Sequence, residues 1–232
     1  MKEGEKYSYF PGCTSHSTAV EYGLSTKAVL KVLGVELVEI EDWNCCGATS
    51  YWSLEDLPAL ILPARVMALA EKQNFKEVVN VCNACYSTLR KAQDKLAKDE
   101  KLMEQVNKSL AEETLTYTGS TKIRHYMEVV VNDLDPEEIK KHIKVDLKDL
   151  TVAPYYGCQL NRPWGDIDDL QHPTMMDRLI ESLGASVANN YSAKTVCCGA
   201  SHMMPYRKNC LPQIRRIIGD AHAKGAQAIS TL

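Results

Sequence analysis

The sequence predicts an α/β protein made of two copies of one unit, each a small, mostly parallel sheet flanked by helices. Three observations predict it. Short apolar runs of strand length alternate with longer runs of helical period. Blocks of sequence repeat: Tyr9-Phe10-Pro11-Gly12-Cys13 answers Pro154-Tyr155-Tyr156-Gly157-Cys158, and Trp43-Asn44-Cys45-Cys46-Gly47-Ala48 answers Thr195-Val196-Cys197-Cys198-Gly199-Ala200. The chain has 232 residues, 45% apolar and 25% charged, an ordinary globular composition with mass enough for a real core.

In chain order, residues 6–10 read as a strand leading into Gly12-Cys13. Ala19, Leu24, Ala28, Val29 and Val32 then fall near a 3.6 period, and Gly34 stands where a left-handed helix cap belongs. Residues 35–40 form a strand whose loop delivers Cys45-Cys46-Gly47. A helix over 57–72 and an apolar strand over 78–81 follow, feeding Cys82-Asn83-Ala84-Cys85. Residues 86–113, rich in Lys, Glu, Ala and Leu, read as a long exposed helix with a solvated charged face. Arg124-His125 closes a strand near the domain junction. Asp135-Pro136-Glu137-Glu138 is a helix start, with an acidic N-cap, proline at the first position and acids against the dipole.

The second copy repeats the order. Residues 150–155 are a strand into Gly157-Cys158, followed by a helix containing Met175, Leu179, Ile180 and Leu183 before Gly184. A loop delivers Cys197-Cys198, a helix runs over 211–224 to Gly225, and residues 228–232 look like a last strand. The expected organisation is a first domain over 1–115, a connecting segment over 116–149 and a second domain over 150–232. Site residues should lie on loops at the carboxyl ends of the strands, where open α/β sheets bind their ligands.

Charge narrows the function. A net charge of −3 argues against nucleic acid as a partner, because phosphate binding shows as a basic excess. No apolar run approaches the roughly 18 residues of a transmembrane segment. Met1-Lys2-Glu3-Gly4-Glu5-Lys6 carries both charges and no apolar stretch, unlike a secretion signal. The chain therefore reads as cytoplasmic. It has no Walker or dinucleotide-type glycine string, so no flavin or nucleotide is expected through those motifs.

Nine cysteines stand at 13, 45, 46, 82, 85, 158, 197, 198 and 210. An odd count in a reducing compartment, with two adjacent pairs, speaks for metal ligation over disulfides. The first copy reads C-x31-C-C-x35-C-x-x-C, five thiols from three loops. A structural zinc takes four ligands, usually as two clips, and only one clip exists here. A thioredoxin-like dithiol would account for Cys82 and Cys85 but not for Cys13, Cys45 and Cys46. Iron–sulfur ligation fits five thiols better, although the usual ferredoxin string is absent. Spacing alone leaves zinc and dithiol chemistry open.

These motifs resemble the cysteine-rich CCG domain, and the duplication resembles the B-type subunit of heterodisulfide reductase across essentially the whole chain. The resemblance implies a non-cubane [4Fe-4S] cluster at each complete motif. Its ligands would be Cys13, Cys45, Cys46, Cys82 and Cys85 in the first copy, and Cys158, Cys197 and Cys198 in the second. It implies reductive cleavage, or the reverse formation, of a disulfide or persulfide held between two one-electron centres. A ferredoxin-like C-type iron–sulfur subunit and a flavin-containing A-type subunit would be the partners. Two other readings remain: a CCG subunit of another oxidoreductase, of lactate, glycolate or sulfur-oxidising type, and a zinc-stabilised interaction module without catalysis.

The second copy departs from the pattern. Its terminal Cys-x-x-Cys is absent, and the first copy's interval places it about two residues past Leu232. Cys210 matches no ligand position and reads as structural. The six histidines form no metal pair and read as surface or cap residues; His202, four residues after Cys198, is the one candidate to line the second site. Met175-Met176 and Met203-Met204 read as core packing. Tyr9, Tyr155 and Tyr156 are expected to pack beside the clusters, and Gly12, Gly47, Gly157 and Gly199 to let backbone approach them.

Overall fold

The computed structural model describes residues 5–232; the first four, which open the charged N-terminal segment, lie outside the described residues. The chain divides into two compact units, Met1–Tyr126 and Met127–Leu232.

The first unit runs β1 (Glu5–Phe10), α1 (Val20–Val32), β2 (Val35–Glu39), α2 (Asp56–Lys72), β3 (Glu77–Asn80), α3 (Asn83–Lys98), α4 (Glu100–Leu110) and β4 (Lys122–His125). Its sheet has the order β2-β1-β3-β4 and every pair is parallel. Helical crossovers between parallel strands bring all four carboxyl ends to one rim. Tyr9 pairs with Glu39 and Val79, Phe10 with Asn80, and Asn80 with His125. The register therefore places the loops after β1, β2 and β3, which carry the first five cysteines, side by side. The core comprises buried Tyr9, Phe10, Val78, Val79 and Ile123 of the sheet with Leu60, Met67, Leu89 and Leu96 of the helices.

Two expectations for this unit are corrected. The long exposed helix over 86–113 is two helices, because Asp99 leaves the helical conformation and its carboxylate accepts the Leu102 N–H at 3.1 Å as the cap of α4. Both are half-buried: Tyr86, Leu89, Ala92 and Leu96 face inward from α3, and Val106 and Leu110 from α4. Composition averages over such a helix, whereas its one-sided apolar pattern decides burial. In α1 three of the apolar residues expected to face the core face outward, Leu24, Val29 and Val32, at 64%, 52% and 60% exposure. The buried face is Gly23, Thr26 and Leu30, and a Cβ on Gly23 would lie 3.1 Å from Ser15 Cβ. Burial of Leu30 together with the close approach of Gly23 to the turn after β1 orients this helix.

The second unit follows α5 (Tyr126–Asn132), whose first residue belongs to the first unit, with α6 (Pro136–Lys141), β5 (Thr151–Tyr155), α7 (Met175–Ser182), β6 (Ser186–Val187), α8 (Arg207–Ala223) and β7 (Ala228–Thr231). Asp135 caps α6 by accepting the Glu137 N–H at 2.9 Å. The sheet order is β6-β5-β7, all parallel, and Tyr155 pairs with Thr231 as Phe10 pairs with Asn80. The helix expected around Met175, Leu179 and Ile180 is α7. Residues 159–174 are irregular and pinned by two carboxylates: Asp168 accepts the N–H groups of Thr174 (2.8 Å) and Met175 (2.6 Å), and Asp169 those of Gln171 and His172. Met175 and Met176 are core residues as expected, whereas Met204 is 94% exposed. It stands in the turn before α8, outside any regular element that would face it inward.

Candidate metal centre

In the first unit three loops bring five thiols together. After β1 the chain turns at Gly12 (φ 71°, ψ 163°), a region open essentially only to glycine, and Cys13 starts a short 3-10 turn. Cys45 and Cys46 follow β2; Cys82 is the cap residue of α3 and Cys85 lies in its first turn. Cys13 touches Cys45, Cys45 touches Cys46, Cys46 touches Cys85, and Cys85 touches Cys82, each pair within hydrogen-bonding reach. Cys13 and Cys45 are exposed while Cys46 and Cys85 are buried, so the group has an open and a closed side.

The protons of this group are unevenly shared. Cys82 is lowered to about 6, first by the Cys85 thiol that donates to it, then by backbone N–H groups of Cys85 and Ala84 and the Thr14 hydroxyl. Cys46 is lowered by the same Cys85 thiol and by the Ala48 N–H. Cys85, donor to both and buried, is pushed far up. Cys45 is raised by burial of its sulfur against the relief of a Gly47 N–H. A helix N-terminus and several N–H donors around Cys82 favour thiolate, the form in which cysteine ligates metals.

Side-chain clamps hold these loops. Arg65 of α2 donates to Asp42 O (2.7 Å), Asp42 Oδ2 (2.7 Å), Asn44 Oδ1 (3.1 Å) and Glu113 Oε2 (2.8 Å). Asn44 in turn donates to Cys45 O and Leu62 O, tying the loop to α2. Trp52 Nε1 donates to Gly47 O at 3.0 Å. Beside Cys13, Glu39 accepts from Lys27 (2.8 Å) and Trp43 (3.0 Å) and meets His16 at 3.2 Å. None of these clamps was expected from the sequence. Arg65 reaches 21 to 48 residues along the chain and Asn44 18 residues to Leu62, beyond any local pattern, whereas Trp43 lies four residues from Glu39 and Trp52 five from Gly47.

In the second unit Cys158, Cys197 and Cys198 converge with Tyr155. Burial raises Cys158, followed by the Cys197 thiol beside it, and the Tyr155 hydroxyl donates to Val196 O at 2.7 Å beside Cys198. Lys194 is the clamp here. Its carbonyl accepts the Tyr156 and Gly157 N–H groups (2.9 and 3.1 Å), and its ammonium donates to Asp177 Oδ1 (2.7 Å) and Pro173 O (2.9 Å). Tyr156 does not face the thiols; its hydroxyl donates to Asp177 and accepts the Met176 N–H on α7. Cys210 is buried in α8 and donates to Gly199 O at 3.2 Å. His202 is exposed and contacts Ser201 and Tyr206. In the shared register Thr231 holds the place of Asn80.

The donor set fits a sulfur-ligated group. A Cβ on Gly12 would lie 2.8 Å from Cys85 Sγ, so the backbone is pressed against the thiols, and the buried Tyr9 and Tyr22 hydroxyl oxygens have no hydrogen-bond partner. Among the described residues no three Cys, His, Asp or Glu side chains close on a single ion. The first five thiols form an open chain of contacts. No helix among the described residues is long and apolar enough to cross a membrane.

The chain is 31% identical over 229 residues to the 8-methylmenaquinol:fumarate reductase membrane anchor subunit of Wolinella succinogenes, covering 98% of this chain and 78% of that one. It is 33% identical to the B-type subunit of the ferredoxin:CoB-CoM heterodisulfide reductase of Methanosarcina mazei, covering 84% of this chain and 65% of that protein. It thus spans just under two thirds of the methanogen protein's length. A crystal structure of a hypothetical protein from Helicobacter pylori superposes with a TM-score of 0.57 at 12% identity, over 98% of this chain and 47% of that one, a likeness of fold. The cysteine-rich CCG domain matches twice, over residues 7–90 and 152–231, and the chain belongs to that family.

Proposed function

We propose that this chain is the iron–sulfur subunit of a heterodisulfide-reductase-type complex, cleaving or forming a disulfide. The observation that carries the reading is the gathering of Cys13, Cys45, Cys46, Cys82 and Cys85 from three loops at the carboxyl rim of one parallel sheet. These five would hold one non-cubane [4Fe-4S] cluster, and Cys158, Cys197 and Cys198 would serve a second. When bound, such a core supplies single electrons at a position where sulfur can approach. Cleavage takes two electrons and two protons per disulfide and yields two thiols. The exposed Cys13 and Cys45 mark the side a disulfide or persulfide reaches, while Cys46, Cys85 and the buried Tyr9 close the other side to water.

Electrons would enter from a ferredoxin-like C-type subunit and, behind it, a flavin-containing A-type subunit, in the cytoplasm. The 31% identity to the Wolinella protein over nearly the whole chain favours one second reading, an electron-transfer subunit of a different oxidoreductase. Anaerobic purification with iron, sulfide and zinc analysis tests the centre. About four irons with matching sulfide per intact motif support it, and zinc without sulfide refutes it. Turnover of a disulfide by the loaded protein with a reduced low-potential donor separates the two readings.

A further inference from the structure

Two buried hydroxyls in the first unit make no close hydrogen bond. Tyr9 stands on the central strand β1, fully buried, and its Oη has no partner at hydrogen-bonding distance. Lys27 Nζ lies 4.9 Å from its ring centroid, and the groups around the hydroxyl are Ser15, Glu39 and Cys85, the thiol against which Gly12 is pressed. Tyr22 of α1 also has a buried Oη with no partner at hydrogen-bonding distance; the Tyr126 hydroxyl is the polar group that acts on it most, ahead of Cys82 and Tyr9. Its ring meets Tyr126 edge-on with centroids 6.0 Å apart. Leaving a buried hydroxyl unsatisfied costs about 1–3 kcal/mol, so two such hydroxyls within electrostatic range of Cys85 and Cys82 call for an acceptor.

The second unit differs. Tyr155 takes the place of Phe10, and its hydroxyl already donates to Val196 O at 2.7 Å. Tyr117 shows that an orphaned hydroxyl elsewhere need not concern the site: its Oη is likewise buried without a partner, and its neighbours are Glu71 and Gln93, with no cysteine.

We infer that the Tyr9 and Tyr22 hydroxyls donate hydrogen bonds to the sulfur atoms of the metal–thiolate core held at Cys82 and Cys85, and thereby raise its reduction potential. Hydrogen bonds to cluster and ligand sulfur stabilise negative charge; the reduced core carries one electron more and gains more from them. Tyr9 and Tyr22 are positioning and tuning residues for that core. The inference rests on the iron–sulfur reading above.

The test uses the full chain loaded with iron and sulfide, comparing wild type with Tyr9→Phe, Tyr22→Phe, the double variant and Tyr117→Phe. Iron and sulfide per chain are measured together with the midpoint potential by electron paramagnetic resonance. Tyr9→Phe and Tyr22→Phe should load as wild type does and titrate at more negative potential, the double variant further still, with Tyr117→Phe unchanged. Should a phenylalanine variant fail to fold, 3-fluorotyrosine placed at Tyr9 keeps the shape and makes the hydroxyl a stronger donor, and the potential should rise. Loaded variants and fluorotyrosine protein that all titrate with wild type overturn this inference alone. A wild-type chain that takes up zinc, or no iron and sulfide, overturns it together with the iron–sulfur reading.

Discussion

The backbone of Gly12 runs so close to Cys85 that an added Cβ would stand 2.8 Å from its Sγ, at a φ of +71° that side chains avoid. Gly12→Ala therefore meets two obstacles, strain of about 1–3 kcal/mol in the backbone and a collision with a candidate ligand. Unfolding should show a loss of about that size, and the iron bound per chain should fall. Gly34→Ala is the control, because it shares a left-handed φ of +80° but has open space around it. It should cost stability without altering iron content.

Cys210 separates structural from ligating thiols. It is buried, and its thiol donates to Gly199 O rather than to Cys158, Cys197 or Cys198. Cys210→Ala removes a thiol-to-carbonyl bond and a small buried volume, a loss of about 1–2 kcal/mol. Thermal unfolding should record that loss while iron and sulfide stay at the wild-type level. Cys158→Ala, by contrast, should lower the metal bound by the second unit.

Much of the fold and of the candidate site was legible in the sequence, for identifiable reasons. Cysteine positions survive translation into structure because a ligand motif is local: Cys45-Cys46-Gly47 and Cys82-x-x-Cys85 each sit on one turn, and duplication showed which loops belong together. Parallel pairing followed from strand–helix alternation. The clamps were not legible, because Arg65 reaches Asp42 and Glu113, 23 and 48 residues away. The orientation of α1 was not legible either, since Gly23 and Thr26 are buried while Leu24 and Val32 are exposed. Nor did Tyr156 differ from Tyr155 in sequence, although Tyr155 ends β5 with its hydroxyl on Val196 O beside Cys198, while Tyr156, just past the strand, turns its hydroxyl to Asp177 on α7.

Arg65 should control how firmly the Cys45 loop holds its metal. Its guanidinium makes four hydrogen bonds to three residues of two separate segments, a fork that an ammonium cannot reproduce. Asp42 and Glu113 are largely exposed, so the greater part of the effect lies in the bonds to Asp42 O and Asn44 Oδ1. Arg65→Lys should cost about 1–2 kcal/mol. It should also quicken iron loss to a chelator, measured by absorbance decay. A lysine variant that releases iron at the wild-type rate would show that the clamp serves the fold only.

His125 gives the first unit a pH dependence of definite sign. The imidazole is fully buried at the end of β4, between Tyr86 and Tyr126, and burial lowers its pKa to about 3 against a Val81 backbone bond that raises it. In the unfolded chain the ring titrates near 6.5. Between those values the unfolded state binds a proton that the folded state refuses. The contribution is complete above pH 6.5 and is lost as pH falls toward 3, at up to about 1.4 kcal/mol per pH unit. Urea unfolding at pH 7.5 and 5.5 should show wild type losing about 1 kcal/mol more than His125→Phe, which starts lower but has no proton to exclude. Acid effects on the thiols and on any bound metal are common to both proteins, so the difference between them reports the imidazole. Equal slopes in the two proteins would mean that His125 accepts its proton in place.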